Sequence, residues 1–172
     1  MFGNISQFHV TSDYLPILNG ILITDIVVIL FIISNVIKSK TIKIWYEKYN
    51  LSAVMADVLV ILIVFIITRY CYPLVFGNYY SIVTFIALAV GIQVIHDILF
   101  YLFFSNIPRN RNKMLDFFKD YADENGYMTI VADSAMIILS ALISSVLVSR
   151  SLNMNIIILV TILYTLPYLI YN

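Results

Sequence analysis

Ionisable and amide side chains lie inside otherwise apolar segments of this chain, and they are the residues that could do chemistry. They are Asp25, Asp57, Arg69, Gln93, His96, Asp97 and Asp133. A charged Asp at the centre of a membrane helix costs about 2.5–3.5 kcal/mol, so each carboxylate must be paired, protonated or hydrated. Carboxylates and a histidine at one depth would suit a pathway for protons or a cation. The alternative is interhelical hydrogen bonding that fixes the packing, worth about 0.6 kcal/mol per bond.

The spacing of these residues predicts some pairs and excludes others. Gln93 and Asp97 are four residues apart and share a helix face, so we expect them to interact. His96 and Asp97 are adjacent and diverge around the helix, so we expect no bond between them. Arg69 is the one basic side chain within a predicted span. It could reach inward to Asp25, which we place nearer the midplane, but not to the other three carboxylates.

The residue pattern favours neither an enzyme nor a metal protein. There is no GxGD or HExxH motif, no matched Ser/His/Asp set and no phosphate-binding glycine loop. Cys71 is the only cysteine, which excludes an intrachain disulfide and a CxxC pair. His96, Asp97 and Asp133 are the residue types of a nitrogen and oxygen metal site, but the signal is weak. We predict no catalytic residues, no metal and no cofactor.

The elements that must position these residues are membrane helices. The chain has 172 residues, 62% of them hydrophobic and 12% charged, with a mean hydropathy of +0.95. Soluble proteins carry about 25% charged residues, and a membrane helix needs about 20 apolar ones. The predicted spans are about 15–37, 51–72, 81–104, 128–149 and 154–171, after an outer tail, 1–14. The sequence therefore predicts one all-α transmembrane bundle with five spans.

Two predicted segments lie at the membrane surface. Residues 38–50 form a basic loop with aromatic residues that suit the headgroup level. Residues 112–125 have apolar side chains at helical spacing and charges on the other face, which predicts an amphipathic surface helix. Asn112 caps this helix and Gly126 ends it. The residues expected to contact lipid headgroups or an inner partner are Lys38, Lys40, Lys43, Trp45, Arg109, Arg111, Lys113, Phe117 and Phe118.

The distribution of basic residues predicts the orientation. Eight of the ten Lys and Arg residues follow spans one and three, and cytoplasmic loops are the ones enriched in these residues. The amino terminus is therefore expected outside and the carboxyl terminus inside. The formal net charge is zero, so overall charge indicates no nucleic-acid partner. The expected partner is the lipid bilayer.

Two parts of the sequence resemble each other in order and content. DIVVILFIISN begins at Asp25 and DILFYLFFSN begins at Asp97, and basic residues follow each segment. An Ala-Asp pair then opens spans two and four, at Asp57 and Asp133. We interpret this as a parallel repeat of two hairpins, followed by a fifth helix. The alternative is chance similarity within a narrow amino-acid alphabet.

Small residues at helical spacing predict close helix contacts. Ala87 and Gly91 form one such stripe in span three. Ser140 and Ser144 form another in span four, beside Ala141, Ser145 and Ser149. We expect both stripes to face neighbouring helices.

Three segments of the chain are distinctive: WYEKYNLSAVMADVLVILI, IQVIHDILFYLFFSNIPRNRNKMLDFFKDYA and VADSAMI. Together they resemble a family of uncharacterised multi-span proteins of large nucleocytoplasmic DNA viruses of algae and protists. The resemblance implies a viral context and the membrane within or around the virion, or a host membrane. It implies no catalytic residues. We therefore expect a structural membrane protein that self-associates or contacts capsid or core proteins through its basic inner loops, with an ion channel or transporter as the alternative.

Overall fold

The computed structural model describes residues 3–171 and consists of seven α-helices and one short 3-10 helix, Thr11–Asp13. The α-helices are α1 (Tyr14–Ile33), α2 (Lys40–Tyr49), α3 (Leu51–Phe76), α4 (Ile82–Ser105), α5 (Lys113–Asn125), α6 (Met128–Leu147) and α7 (Leu152–Ile170). Five of them, α1, α3, α4, α6 and α7, are long and apolar enough to cross a membrane. The prediction of an all-α membrane fold with five spans is confirmed.

Four of the long helices form a ring, and the fifth packs on the outside of it. α1 contacts α3 and, most extensively, α6, while α4 contacts α3 and α6. α7 packs against α1. Phe65 of α3 and Phe85 of α4 are both fully buried, with ring centroids 5.7 Å apart. The outward faces expose many apolar side chains, Leu99 and Ile157 among them. A helix that is apolar all round needs either protein or lipid around it.

The closest approach of two membrane helices is between α1 and α6. A methyl group added to Gly20 would lie 2.8 Å from the backbone nitrogen of Ser144. The Ser144 hydroxyl donates to the carbonyl of Ile17, 3.3 Å away. The predicted serine stripe of span four therefore faces a neighbouring helix. The prediction for Ala87 and Gly91 was wrong, because both residues are exposed and no atom lies within 4 Å of a Cβ added at Gly91.

The residues before α1 pack onto the bundle. The backbone nitrogen of Gly3 donates to the carbonyl of Ser145 over 2.7 Å. The hydroxyls of Ser145 and Tyr80 donate to the carbonyl of Gly3, at 2.7 and 3.0 Å. Ile5 is fully buried. The described part of the predicted outer tail is thus a packed segment that covers the end of α6.

Two short surface helices connect the long helices of the ring. α5 matches its prediction, and the Asn112 side chain accepts from the backbone nitrogens of Met114 and Leu115 at its start. α2 was predicted as a loop, and this prediction was wrong. The Ser39 side chain accepts from the nitrogen of Ile42 and caps α2. The aromatic residues of α2 turn towards the bundle, so tertiary contacts stabilise a helix that is only 10 residues long.

The two halves of the ring share one order of elements: long helix, surface helix, long helix. Asp25 and Asp97 occupy matching positions, since α1 ends at Ile33 and α4 at Ser105. Each surface helix is followed by one residue of similar backbone conformation, Asn50 with φ 47° and ψ −123° and Gly126 with φ 52° and ψ −131°. A parallel repeat would generate two sets of matching contacts, and both are present. The α1–α3 contact matches α4–α6, and the α3–α4 contact matches α6–α1. Shared ancestry of the halves stays a prediction.

Candidate functional site

Each helix of the ring contributes one aspartate to the part of the bundle nearest the surface helices. Asp25 comes from α1, Asp57 from α3, Asp97 from α4 and Asp133 from α6. Asp133 lies within electrostatic range of Asp97 and Asp57. The sequence placed Asp25 apart from the others, near the midplane, but a residue of α2 connects it to Asp57. The four predicted carboxylates therefore belong to one region of the structure.

Tyr46 of α2 connects Asp25 and Asp57. Its hydroxyl lies 2.8 Å from Oδ1 of Asp25 and 2.8 Å from Oδ2 of Asp57. The indole nitrogen of Trp45 donates to the same Asp57 oxygen over 2.9 Å. Burial, together with the two neighbouring carboxylates, raises the pKa of Tyr46 well above its usual value. The sequence reasoning missed Tyr46 because it treated residues 38–50 as a loop. An aromatic pair on a short helix next to Asp57 was the available signal.

Gln93, His96 and Asp97 form a second hydrogen-bonded group on α4. The Gln93 amide donates to Oδ1 of Asp97 over 2.6 Å, so the predicted pair is present. Nδ1 of His96 lies 3.2 Å from the same oxygen, and the prediction that these neighbours do not interact was wrong. Nδ1 is the ring nitrogen nearer the backbone, so the imidazole can reach the following residue despite the helical rotation. The His96 ring is 40% exposed and stacks on Phe100, with centroids 6.0 Å apart.

Arg69 points away from the aspartates. Its guanidinium donates to the carbonyls of Gln7 and Val10, the latter at 2.8 Å, and lies 3.4 Å from Oδ2 of Asp13. The prediction that Arg69 reaches Asp25 was wrong. Twelve residues of helix separate positions 57 and 69, about 18 Å along the axis, and the buried segment before α1 supplies nearer acceptors. Asp13 was not singled out by the sequence, because it falls within the predicted tail.

No lysine or arginine offsets the four aspartates in the part of the chain that the structure describes. None of them forms an ion pair with a lysine or arginine. Oδ2 of Asp25 and Oδ2 of Asp97 are buried without a hydrogen-bond partner. Within residues 3–171, no three His, Cys, Asp or Glu side chains come together in a way that could hold a metal ion. The arrangement can therefore bind protons and form hydrogen bonds between helices.

The two surface helices, α2 and α5, form one unit that we call the surface platform. The carboxylate of Glu124 in α5 accepts from the backbone nitrogens of Lys40 and Thr41, at 2.7 and 3.0 Å, and from the Ser39 hydroxyl at 3.0 Å. It thus places an anion at the amino terminus of α2, where the helix dipole favours one. Burial raises the pKa of Glu124, but these hydrogen bonds lower it further and hold it below its usual value. The Asn125 amide also donates to the Thr41 hydroxyl over 2.9 Å.

Aromatic rings fill the space between the platform and the membrane helices. Trp45 of α2 stacks on Phe117 of α5 with centroids 5.1 Å apart and planes 15° apart. Phe118 lies 5.2 Å from Trp45 and 5.1 Å from Phe100 of α4. Trp45 and Phe117 are only 5% and 7% exposed. Their predicted contact with lipid headgroups was wrong, because these side chains pack the two surface helices against each other.

The predicted basic contact residues lie on the outside of the platform and its connecting loops. Lys38, Lys40, Lys43, Arg109, Arg111 and Lys113 are all exposed. Arg109 pairs with Asp120 at 2.7 Å and more distantly with Asp123, and Lys43 lies 3.6 Å from Glu47. Among the described residues, the other four basic side chains form no ion pair. Since Glu124 is also occupied, by the amino terminus of α2, the platform presents unpaired positive charge to its surroundings.

Comparison with family models, with curated proteins and with solved structures finds no match to this chain.

Proposed function

We propose that this chain is a structural membrane protein that joins a bilayer to an anionic protein layer through its surface platform. The observation that carries the proposal is the organisation of the platform. Its acidic residues are occupied by internal contacts, as with Glu124 at the start of α2 and Asp120 on Arg109. Among residues 3–171, the platform and its connecting loops contain five basic side chains that are exposed and form no ion pair: Lys38, Lys40, Lys48, Arg111 and Lys113. Such a surface attracts an anionic partner.

The anchoring half of this function belongs to the helix ring. Hydrogen bonds between helices, such as that from Asn19 of α1 to the carbonyl of Asn155 in α7 at 2.8 Å, fix the five spans against one another. The aromatic cluster around Trp45 then holds the platform on the ring. A rigid anchor with a charged face suits a protein that holds a membrane at a set distance from a shell. In the viral context that the sequence resemblance implies, the shell would be the capsid or the core.

The proposal is tested by incorporation into virus particles. Cells producing the particles would express a tagged chain, and purified particles would be separated into membrane and shell fractions. We expect the chain in the membrane fraction, and a variant with Lys38, Lys40, Arg111 and Lys113 all changed to Gln should be incorporated at least several-fold less. The matched control is Arg150→Gln, which removes an exposed basic residue from the opposite end of α6. Particles that contain none of the chain, or that take up both variants equally, would contradict the proposal.

A second candidate, a proton or cation conductor, is favoured by the aspartates themselves. Each helix of the ring contributes one, and a buried oxygen of Asp97 has no partner among the described residues. Flux into liposomes that contain the purified chain distinguishes the two functions. A conductor gives flux that Asp97→Asn reduces, whereas a structural protein gives none with either chain.

A further inference from the structure

One hydroxyl group lies between two carboxyl groups at the point where α2 meets the ring. The Tyr46 oxygen is 2.8 Å from Oδ1 of Asp25 and 2.8 Å from Oδ2 of Asp57. The two carboxyl oxygens are therefore no farther apart than twice that distance. Asp25 is fully buried, and Tyr46 is 7% exposed.

The three oxygens need two protons to make two hydrogen bonds. A phenol has a single proton, which can point at only one carboxyl group at a time. If both carboxyl groups were ionised, the second contact would bring the Tyr46 oxygen against an anion with no hydrogen between them. Two unpaired anions would also lie close together in a buried site, where such repulsion is strong. The observed geometry is stable with one additional proton.

The neighbouring donors indicate which residue carries that proton. Oδ2 of Asp57 accepts from the Trp45 indole at 2.9 Å as well as from Tyr46, and an oxygen with two donors is best ionised. Oδ1 of Asp25 has Tyr46 as its hydrogen-bond partner, and Oδ2 of Asp25 has none among residues 3–171. A buried oxygen without a hydrogen-bond partner costs less free energy when it belongs to a neutral carboxylic acid than when it belongs to a carboxylate. Asp25 therefore donates to the Tyr46 oxygen, and Tyr46 donates to Asp57.

No lysine or arginine among residues 3–171 forms an ion pair with Asp25 or Asp57. Asp133 of α6 and Tyr121 of α5 are within electrostatic range of Asp57, and Asp97 of α4, with its neighbour His96, is within range of Asp133. The α7 tyrosines within the helix are exposed and lie outside this group. Asp133 and Tyr121 are acids, and the base His96 contacts Asp97, so these surroundings favour binding of the extra proton.

We propose that Asp25, Tyr46 and Asp57 form a binding site for one proton, and that this proton fastens α2 to α1 and α3. When the proton leaves, Tyr46 can hold only one of the two carboxylates, so α2 loses one of its attachments to the ring. The surface platform is thereby sensitive to proton activity. The site does not depend on the proposed structural function and would operate equally beneath a different one.

The wild-type chain in lipid nanodiscs tests the proposal directly. Infrared spectra at neutral pH should contain the carbonyl band of a protonated carboxyl group, shifted in heavy water, and this band should disappear on alkaline titration. Trp45 is the only tryptophan and donates to Asp57, so its fluorescence should change over the same pH range. A spectrum without any protonated carboxyl band at neutral pH would overturn the proposal.

Two variants identify the residue that holds the proton. In Asp25→Asn the amide can donate to the Tyr46 oxygen without an added proton, so the chain should fold, lose one protonated-carboxyl band and lose the pH dependence of Trp45 fluorescence. Asp97→Asn removes another, partly buried acid in a different helix and should keep that dependence. Asp25→Asn that does not fold, that keeps every band or that keeps the fluorescence transition would overturn the assignment.

Discussion

The contact between α1 and α6 leaves no space for a methyl group at Gly20. A Cβ there would lie 2.2 Å from the Ser144 hydroxyl oxygen, 2.8 Å from the Ser144 nitrogen and 3.0 Å from its Cα. The hydroxyl can rotate away, but the two backbone atoms move only if α6 moves. Overpacking of this kind costs about 1–3 kcal/mol, and replacing a glycine within a helix returns about 0.5–1 kcal/mol. We expect Gly20→Ala to lower the free energy of unfolding by about 1–2 kcal/mol.

Gly91→Ala is the matched control for this substitution. Gly91 is also within a membrane helix, but a Cβ there meets no atom within 4 Å. The same change should therefore stabilise the chain by about 0.5–1 kcal/mol. Both effects are measured by reversible unfolding in mixed micelles, followed by the helical circular dichroism signal. Gly20→Ala at least as stable as the wild type would refute the close α1–α6 contact, and so would equal destabilisation by the two variants.

Two further predictions concern the platform and the opposite end of the bundle. Glu124→Gln should lower the free energy of unfolding by less than about 1 kcal/mol, because solvent screens this exposed cap. The folded-state pKa of Glu124 is lowered, so its contribution to stability is fully present at pH values above the unfolded-state pKa of about 4.3. This contribution is lost as the pH falls through the folded-state pKa. A difference in stability between Glu124→Gln and the wild type that persists in acid would contradict this. Arg69→Met should cost about 3–5 kcal/mol by leaving Asp13 without its cation. The same substitution should also speed hydrogen exchange in residues 3–10, and unchanged exchange would argue against the role of Arg69. Asp13→Asn should destabilise the chain less, because the Val10 carbonyl still accepts a hydrogen bond from Arg69.

The two surface helices show how much of the secondary structure can be predicted from the periodicity of apolar residues. For α5 the apolar spacing of Phe117 and its neighbours, with Asn112 before it and Gly126 after it, predicts the helix and both its ends. α2 has too few residues for a strong periodic signal, and its helix depends on contacts that the local sequence does not contain. Trp45 illustrates this, since it packs on a ring 72 residues later in the chain. Recognising α2 as a helix is what brings Tyr46 into the candidate site.

The sequence by itself determined that this is a membrane protein, how many spans it has, and which polar residues within the spans need a hydrogen-bond or charge partner. Hydropathy and capping are local properties, and a buried charge demands a partner wherever it lies. Only the tertiary structure decided which partner each residue has. Ser144 meets another helix whereas Gly91 does not, and Arg69 turns towards Asp13 whereas Asp25 is held by Tyr46. The physical reason is that an apolar helix can rotate any face towards lipid or protein, so the choice depends on how all the helices pack together.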